Sequence, residues 1–158
     1  MIGPAGRLMA VALLPYFAWE MFQAPAFTGM SKDWAAATLA CAIATLGDMV
    51  ILILLYALGV RLFGAPRWFA PPRFARYALI LLAAVVVHVG VERLMIGFGR
   101  WGYALGHPLI PLLGVGVLVV LQPLLLVPLV FWALAMWEGV RGEQGARPTL
   151  KPPGPGRR

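Results

Sequence analysis

Glu20, Asp48, Glu92 and His88 are the side chains of this sequence best equipped to move a proton, and each lies within a long apolar run. Ionisable groups at membrane depth are costly and normally face a bundle interior or a water-filled cavity. Three carboxyl groups and an imidazole placed this way point to acid–base chemistry, in which a protonated acid donates and an ionised neighbour accepts. They equally suit a proton-coupled path or hydrogen bonds that hold helices together. Gln122 carries an amide into the last apolar run, where interhelical bonding is its ordinary role. Glu20, Asp48, Glu92 and His88 are therefore the catalytic candidates. Gln23, Arg93, Arg100, Trp101, Tyr103 and Gln122 are the candidate ligand-binding groups.

The elements that must position these residues are membrane helices. Mean hydropathy of +0.85, 61% hydrophobic residues and 12% charged residues exclude an ordinary soluble domain, in which about a quarter of residues are charged. Apolar runs over 8–26, 35–58, 77–97 and 109–137 each approach or exceed the ~20 residues that cross a hydrocarbon core. The expected fold is an all-α, polytopic bundle of four transmembrane helices over residues 1–140. Ser31 or Asp33 can cap the second helix, the stretch from Arg61 to Arg76 with Pro66, Pro71 and Pro72 stops it, and Pro123 and Pro128 are expected to kink the fourth.

The net charge of +7 does not indicate a nucleic-acid partner, because the basic residues sit in loops and the tail rather than on an aromatic-interleaved surface. Ten of them fall on the side shared by the two termini, against Lys32 and Arg100 opposite. By the positive-inside rule both termini are expected in the cytoplasm, for a multi-pass protein of a bacterial inner membrane. Residues 141–158, rich in Pro, Gly and Arg, are expected to be a disordered tail. It serves either as a solvated topology signal or as a contact for anionic headgroups. Arg7, the run from Leu8 and Ala24-Pro25-Ala26 also resemble a signal peptide with its cleavage site, so retention or removal of residues 1–26 stays open. The lone Cys41 excludes a thiol–disulfide relay and reads as a small buried residue.

Helical rise converts position into depth. From the outer face, Glu20 and Glu92 are expected at about 8–9 Å and Asp48 and Gln122 at about 20 Å, with His88 between at about 14 Å. The expected chamber has a shallow Glu pair above a deeper Asp/Gln pair, and it opens outward. His88 and Glu92, four apart, share a helix face, and Gln23 and Thr45 extend the strips begun by Glu20 and Asp48. Arg93 either neutralises Glu20 or snorkels outward. A metal held by His88, Glu92 and Asp48 lacks a dense ligand motif, His107 is too shallow to pair with His88 around haem, and no metal or cofactor is expected.

Gly97, Gly99 and Gly102 permit tight turns between Glu92 and Tyr103, and Trp101 and Tyr103 read either as an aromatic belt or as a lid over the chamber. Across Gly47-Asp48, Glu92, Arg100-Trp101-Gly102-Tyr103, Pro108, Pro111 and Gln122-Pro123, the chain resembles a group of small bacterial four-helix membrane proteins. That resemblance implies a fold and no activity. From Glu92 to Tyr103, and in the Pro-rich entry to the last helix, it also resembles membrane carotenoid hydratases and lycopene cyclases, which protonate polyene double bonds. This chain is shorter and lacks the cyclase-type paired acids after proline.

The expected function is acid–base chemistry on a lipid or isoprenoid in an outward-opening intramembrane pocket. The alternatives are a small proton-coupled transport component and a non-catalytic assembly partner. The expected partners are lipids and a lipophilic small molecule, and homo-oligomerisation is compatible with all three readings.

Overall fold

The computed structural model describes residues 3–145 and is built from four long helices. They are α1 (Pro4–Gln23), α2 (Trp34–Phe63), α3 (Phe74–Gly97) and α4 (Val117–Gly145). Among the described residues, α2, α3 and the Val117–Gly139 part of α4 are long and apolar enough to cross a membrane. α1 has 20 residues, but Arg7, Glu20 and Gln23 lower its hydropathy and it does not join that group.

The helices pack as a closed ring in which α1 touches α2 and α4, and α3 touches the same two. Their outer faces are apolar, with Leu14, Leu54 and Leu82 exposed, while Gln23, Thr45, His88, Glu92 and Gln122 are buried. This inversion of the soluble pattern suits an apolar solvent and an interior where polar groups find each other.

Local chemistry sets the ends of the helices. Asp33 caps α2, its Oδ1 accepting from the Ala36 N–H at 2.8 Å. Gly64 ends that helix at φ 67°, a left-handed conformation open to glycine at little cost. α2 therefore runs five residues beyond the expected stop at 58. α4 is helical through both Pro123 and Pro128 and through Gly145, so the expected tail begins later than 141. The rest of that tail lies outside the described residues.

The largest departure is at 109–116, expected as the start of the last helix. It forms instead a hairpin, with β3 (Leu109–Ile110) antiparallel to β4 (Val115–Gly116). Pro111 cannot donate to a helix and Gly114 sits at φ 62°, its N–H bonded to the Ile110 carbonyl at 2.8 Å. Apolarity alone does not distinguish this turn from a helix. A second ladder pairs β1 (Phe27–Thr28) with β2 (Gly102–Tyr103), tying the α1–α2 and α3–α4 connections together at one end of the bundle. We call this the capped end.

The opposite end is closed by an ion-pair bridge and an aromatic plug. Glu138 of α4 receives Arg7 of α1 at 3.4 Å and Arg67 of the α2–α3 connection at 3.0 Å. From that same connection Trp68 and Phe69 turn into the bundle, fully buried against Phe131 at ring distances of 4.8 and 5.5 Å. Tyr16, Met49, Leu52, Leu55, Ile80 and Leu134 complete the packing, so the bundle interior at this end is solid.

Candidate functional site

Toward the capped end the interior opens into a cavity of about 800 Å³. That is within the range of sites that enclose a drug-sized ligand. Glu20, Gln23, Asp48, His88, Glu92, Arg100, Trp101 and Gln122 all line it, so most of the residues singled out from the sequence converge there. Arg93 and Tyr103 do not line it.

The polar groups form two clusters, divided differently from the expected tiers. In the first, the Gln122 amide of α4 bridges the carboxyl groups of two other helices. Its Nε2 donates to Asp48 Oδ2 at 2.6 Å and to Glu20 Oε1 at 3.4 Å. Glu20 Oε1 also accepts from Gln23 Nε2 at 2.7 Å, and Gln23 Oε1 accepts from Trp19 Nε1 at 3.0 Å. Glu20 thus belongs with Asp48 and Gln122, and no hydrogen bond joins it to Glu92 among the described residues. Depth along separate helices could not reveal this, because their tilt and rotation decide which side chains meet.

His88 completes this cluster. Its Nδ1 lies 2.8 Å from the Ala84 carbonyl oxygen. A carbonyl only accepts, so Nδ1 carries the hydrogen. Nε2 then faces Asp48 Oδ1 at 3.6 Å, too long for a direct hydrogen bond. An unprotonated Nε2 opposite an ionised carboxylate would set two acceptors against each other. Among the described residues His88 Nε2 is buried without a hydrogen-bond partner, on the cavity wall beside Asp48.

The second cluster is Glu92 with its aromatic donors. Glu92, on the cavity wall, accepts at Oε1 from Tyr103 OH at 2.7 Å and from Trp101 Nε1 at 3.2 Å. Tyr103 is oriented in turn by the Gly116 N–H, which donates to its hydroxyl at 2.7 Å. Burial holds the Tyr103 phenol above its usual range, reinforced by Glu92 and partly offset by the Gly116 N–H. It therefore stays a protonated donor at neutral pH. Tyr103 also stacks on His107 at 5.0 Å and contacts Phe27 at 5.4 Å, so Trp101 and Tyr103, read from the sequence as a belt or a lid, belong to a wider aromatic cluster. Replacing Tyr103 with Phe strands the Gly116 N–H and leaves Glu92 with Trp101 alone. Thermal unfolding in detergent should show a loss of about 1–3 kcal/mol, and an unchanged midpoint would mean the cap contributes nothing.

Several expectations are corrected by these contacts. Arg93 does not neutralise Glu20: it is exposed, and its Nη1 donates to the Leu113 carbonyl at 3.3 Å, pinning the β3–β4 hairpin. Thr45 is buried but turns back to the Cys41 carbonyl at 2.8 Å instead of extending the strip from Asp48. Cys41 is small and buried as expected, its Sγ 3.6 Å from the Glu20 carbonyl where α1 meets α2. Among the described residues no group of three or more His, Cys, Asp or Glu is placed to hold a metal, because His88 and Glu92 have separate partners.

Sequence reading missed Phe27, Met30 and Met95 of the lining and the buried ion-pair partner Glu138. The short Phe27–Thr28 strand carried no periodic signal, and Glu138 sits one residue beyond the expected end of its span. Searches against protein families, curated proteins and solved structures found no match to this chain.

Proposed function

We propose that this protein is a four-spanning enzyme of a bacterial inner membrane that carries out acid–base chemistry on a lipophilic substrate. The observation that carries the reading is the Gln122-bridged Glu20–Asp48 pair, with His88 Nε2 3.6 Å from Asp48, on the wall of an otherwise apolar cavity. Such a site holds a proton, receives a greasy molecule and places the two together. The protonated partner of the His88–Asp48 junction delivers its proton to a carbon–carbon double bond or an oxygen of the substrate. Glu20, which accepts from the Gln23 and Gln122 amides beside Asp48, takes one back.

Further support for four spans comes from α1, which packs between α2 and α4 and supplies Glu20, arguing that it is retained rather than cleaved. The arginines at the end opposite the cap favour both termini in the cytoplasm. A proton-coupled transport role is less well supported, because Trp68, Phe69 and Phe131 fill the bundle beyond the cavity floor. An assembly role leaves the cavity without a use.

The test is isotopic. Membranes carrying the protein are incubated in deuterium oxide, and their lipids are profiled beside membranes carrying Glu20→Gln, Asp48→Asn and Glu92→Gln variants. The expected result is a lipid species with carbon-bound deuterium or a changed mass, present with the native chain and absent with the variants. Identical profiles from native and variant membranes would overturn the reading.

A further inference from the structure

The cavity has one acidic floor, one basic point on its rim and one side open to the bilayer. Arg100, at the rim, is the one Lys or Arg side chain that lines it, and among the described residues its guanidinium has no protein partner. The open side lies between α2 and α3, the least intimately packed neighbours in the ring. There Ile43, Gly47, Val50 and Val91 line the cavity while also being exposed on the outer face of the bundle. An opening bounded by apolar side chains at membrane depth admits a hydrocarbon chain sideways from the lipid.

We propose that the occupant is an amphiphile with an anionic head, a phosphate or a carboxylate, held at Arg100 while its alkyl or isoprenoid chain lies in the slot between α2 and α3. Both head types match the planar donor fork of arginine. The register follows from charge: the floor carries Glu20 and Asp48 and no Lys or Arg, so the head stays at Arg100 and only the chain descends. α3 ends at Gly97, and His88 lies nine residues deeper in it, about 13 Å along the axis. The part of the ligand beside His88 and Asp48 is therefore an internal stretch of chain, well removed from the head. The site resting on the acid–base reading would act on a double bond or substituent within the chain, and the head serves as a measuring anchor.

The test uses the full chain in nanodiscs of phosphatidylcholine and three photoactivatable probes of equal length: dodecyl phosphate, dodecanoate and dodecanol, each with a diazirine at the chain end. The expected result is labelling of residues 40–51 and 88–95 by the two anionic probes, at least tenfold above dodecanol. Arg100→Ala should lower anionic capture about tenfold and leave dodecanol unchanged, and Arg100→Lys should restore most of it. Gly47→Leu, whose new side chain starts in open space, should block capture of every probe while helicity persists. Capture of one anionic probe and not the other assigns the head as phosphate or as carboxylate. Equal capture of dodecanol, indifference to Arg100→Ala, or labelling confined to the apolar groove of Phe69, Phe74 and Trp132 would each overturn the proposal. Asp48→Asn separates the two readings: capture that persists without any deuterated product in native or variant membranes retains this binding mode and removes the chemistry.

Discussion

Asp48→Asn should reduce turnover at least a hundredfold while leaving the bundle folded. The acid sits between a donor and an imidazole, with Gln122 Nε2 at 2.6 Å from Oδ2 and His88 Nε2 at 3.6 Å from Oδ1. Asparagine fits both demands as a neutral group. Its oxygen accepts from Gln122, and its amide N–H points at the lone pair that His88 Nε2 carries when Nδ1 donates to Ala84. The bond from Gln122 is kept and His88 Nε2 gains no new mismatch, so stability should change by less than about 1 kcal/mol. What disappears is the transferable proton, and general acid–base groups contribute about 10²–10⁴-fold. Asp48→Ala is the contrasting variant, because it removes the 2.6 Å bond from Gln122 and leaves that amide only the longer one to Glu20. Deuterium incorporation measured beside thermal unfolding in detergent resolves the two effects. A folded Asp48→Asn protein with native turnover would remove Asp48 from the chemistry.

Gly59→Leu should prevent the bundle from assembling, and even Gly59→Ala should lower its stability. A β-carbon on Gly59 would overlap the indole of Trp68, meeting Cε2, Nε1 and Cδ2. That ring has nowhere to retreat. It is completely buried, packs on Phe63, Phe69, Tyr77 and Phe131, and donates from Nε1 to the Tyr56 carbonyl at 3.3 Å. Overpacking a filled core costs about 1–3 kcal/mol, against a gain of up to about 1 kcal/mol from replacing glycine by alanine in a helix. The expected balance for Gly59→Ala is a loss of up to about 2 kcal/mol on those ranges. Gly47→Ala, on the same helix, is the internal control. Its added carbon meets no neighbour, so only the propensity gain remains. Unfolding midpoints in a graded detergent series should rank Gly47→Ala at or above the native chain and Gly59→Ala below it. The reverse order would mean that Trp68 does not close the bundle.

The sequence by itself determined the long helices and the residues that had to meet. Its apolar runs are too long and too free of charge for a soluble core, and Asp33 and Gly64 mark ends by chemistry that acts within a few residues. Glu20, Asp48, His88, Glu92 and Gln122 were legible because each is a conspicuous cost in an apolar run, and costly groups seek one another. Which of them bonded to which was settled only by the tertiary structure. Glu20 turns to Asp48 and Gln122, Glu92 to Trp101 and Tyr103, and Arg93 to the hairpin at Leu113, because helix rotation and tilt depend on side chains far along the chain. The strands at Phe27–Thr28 and Leu109–Gly116 and the inward turn of Trp68 were hidden for a related reason. Each is a short segment whose conformation is fixed by a partner distant in sequence, so no local periodicity announces it.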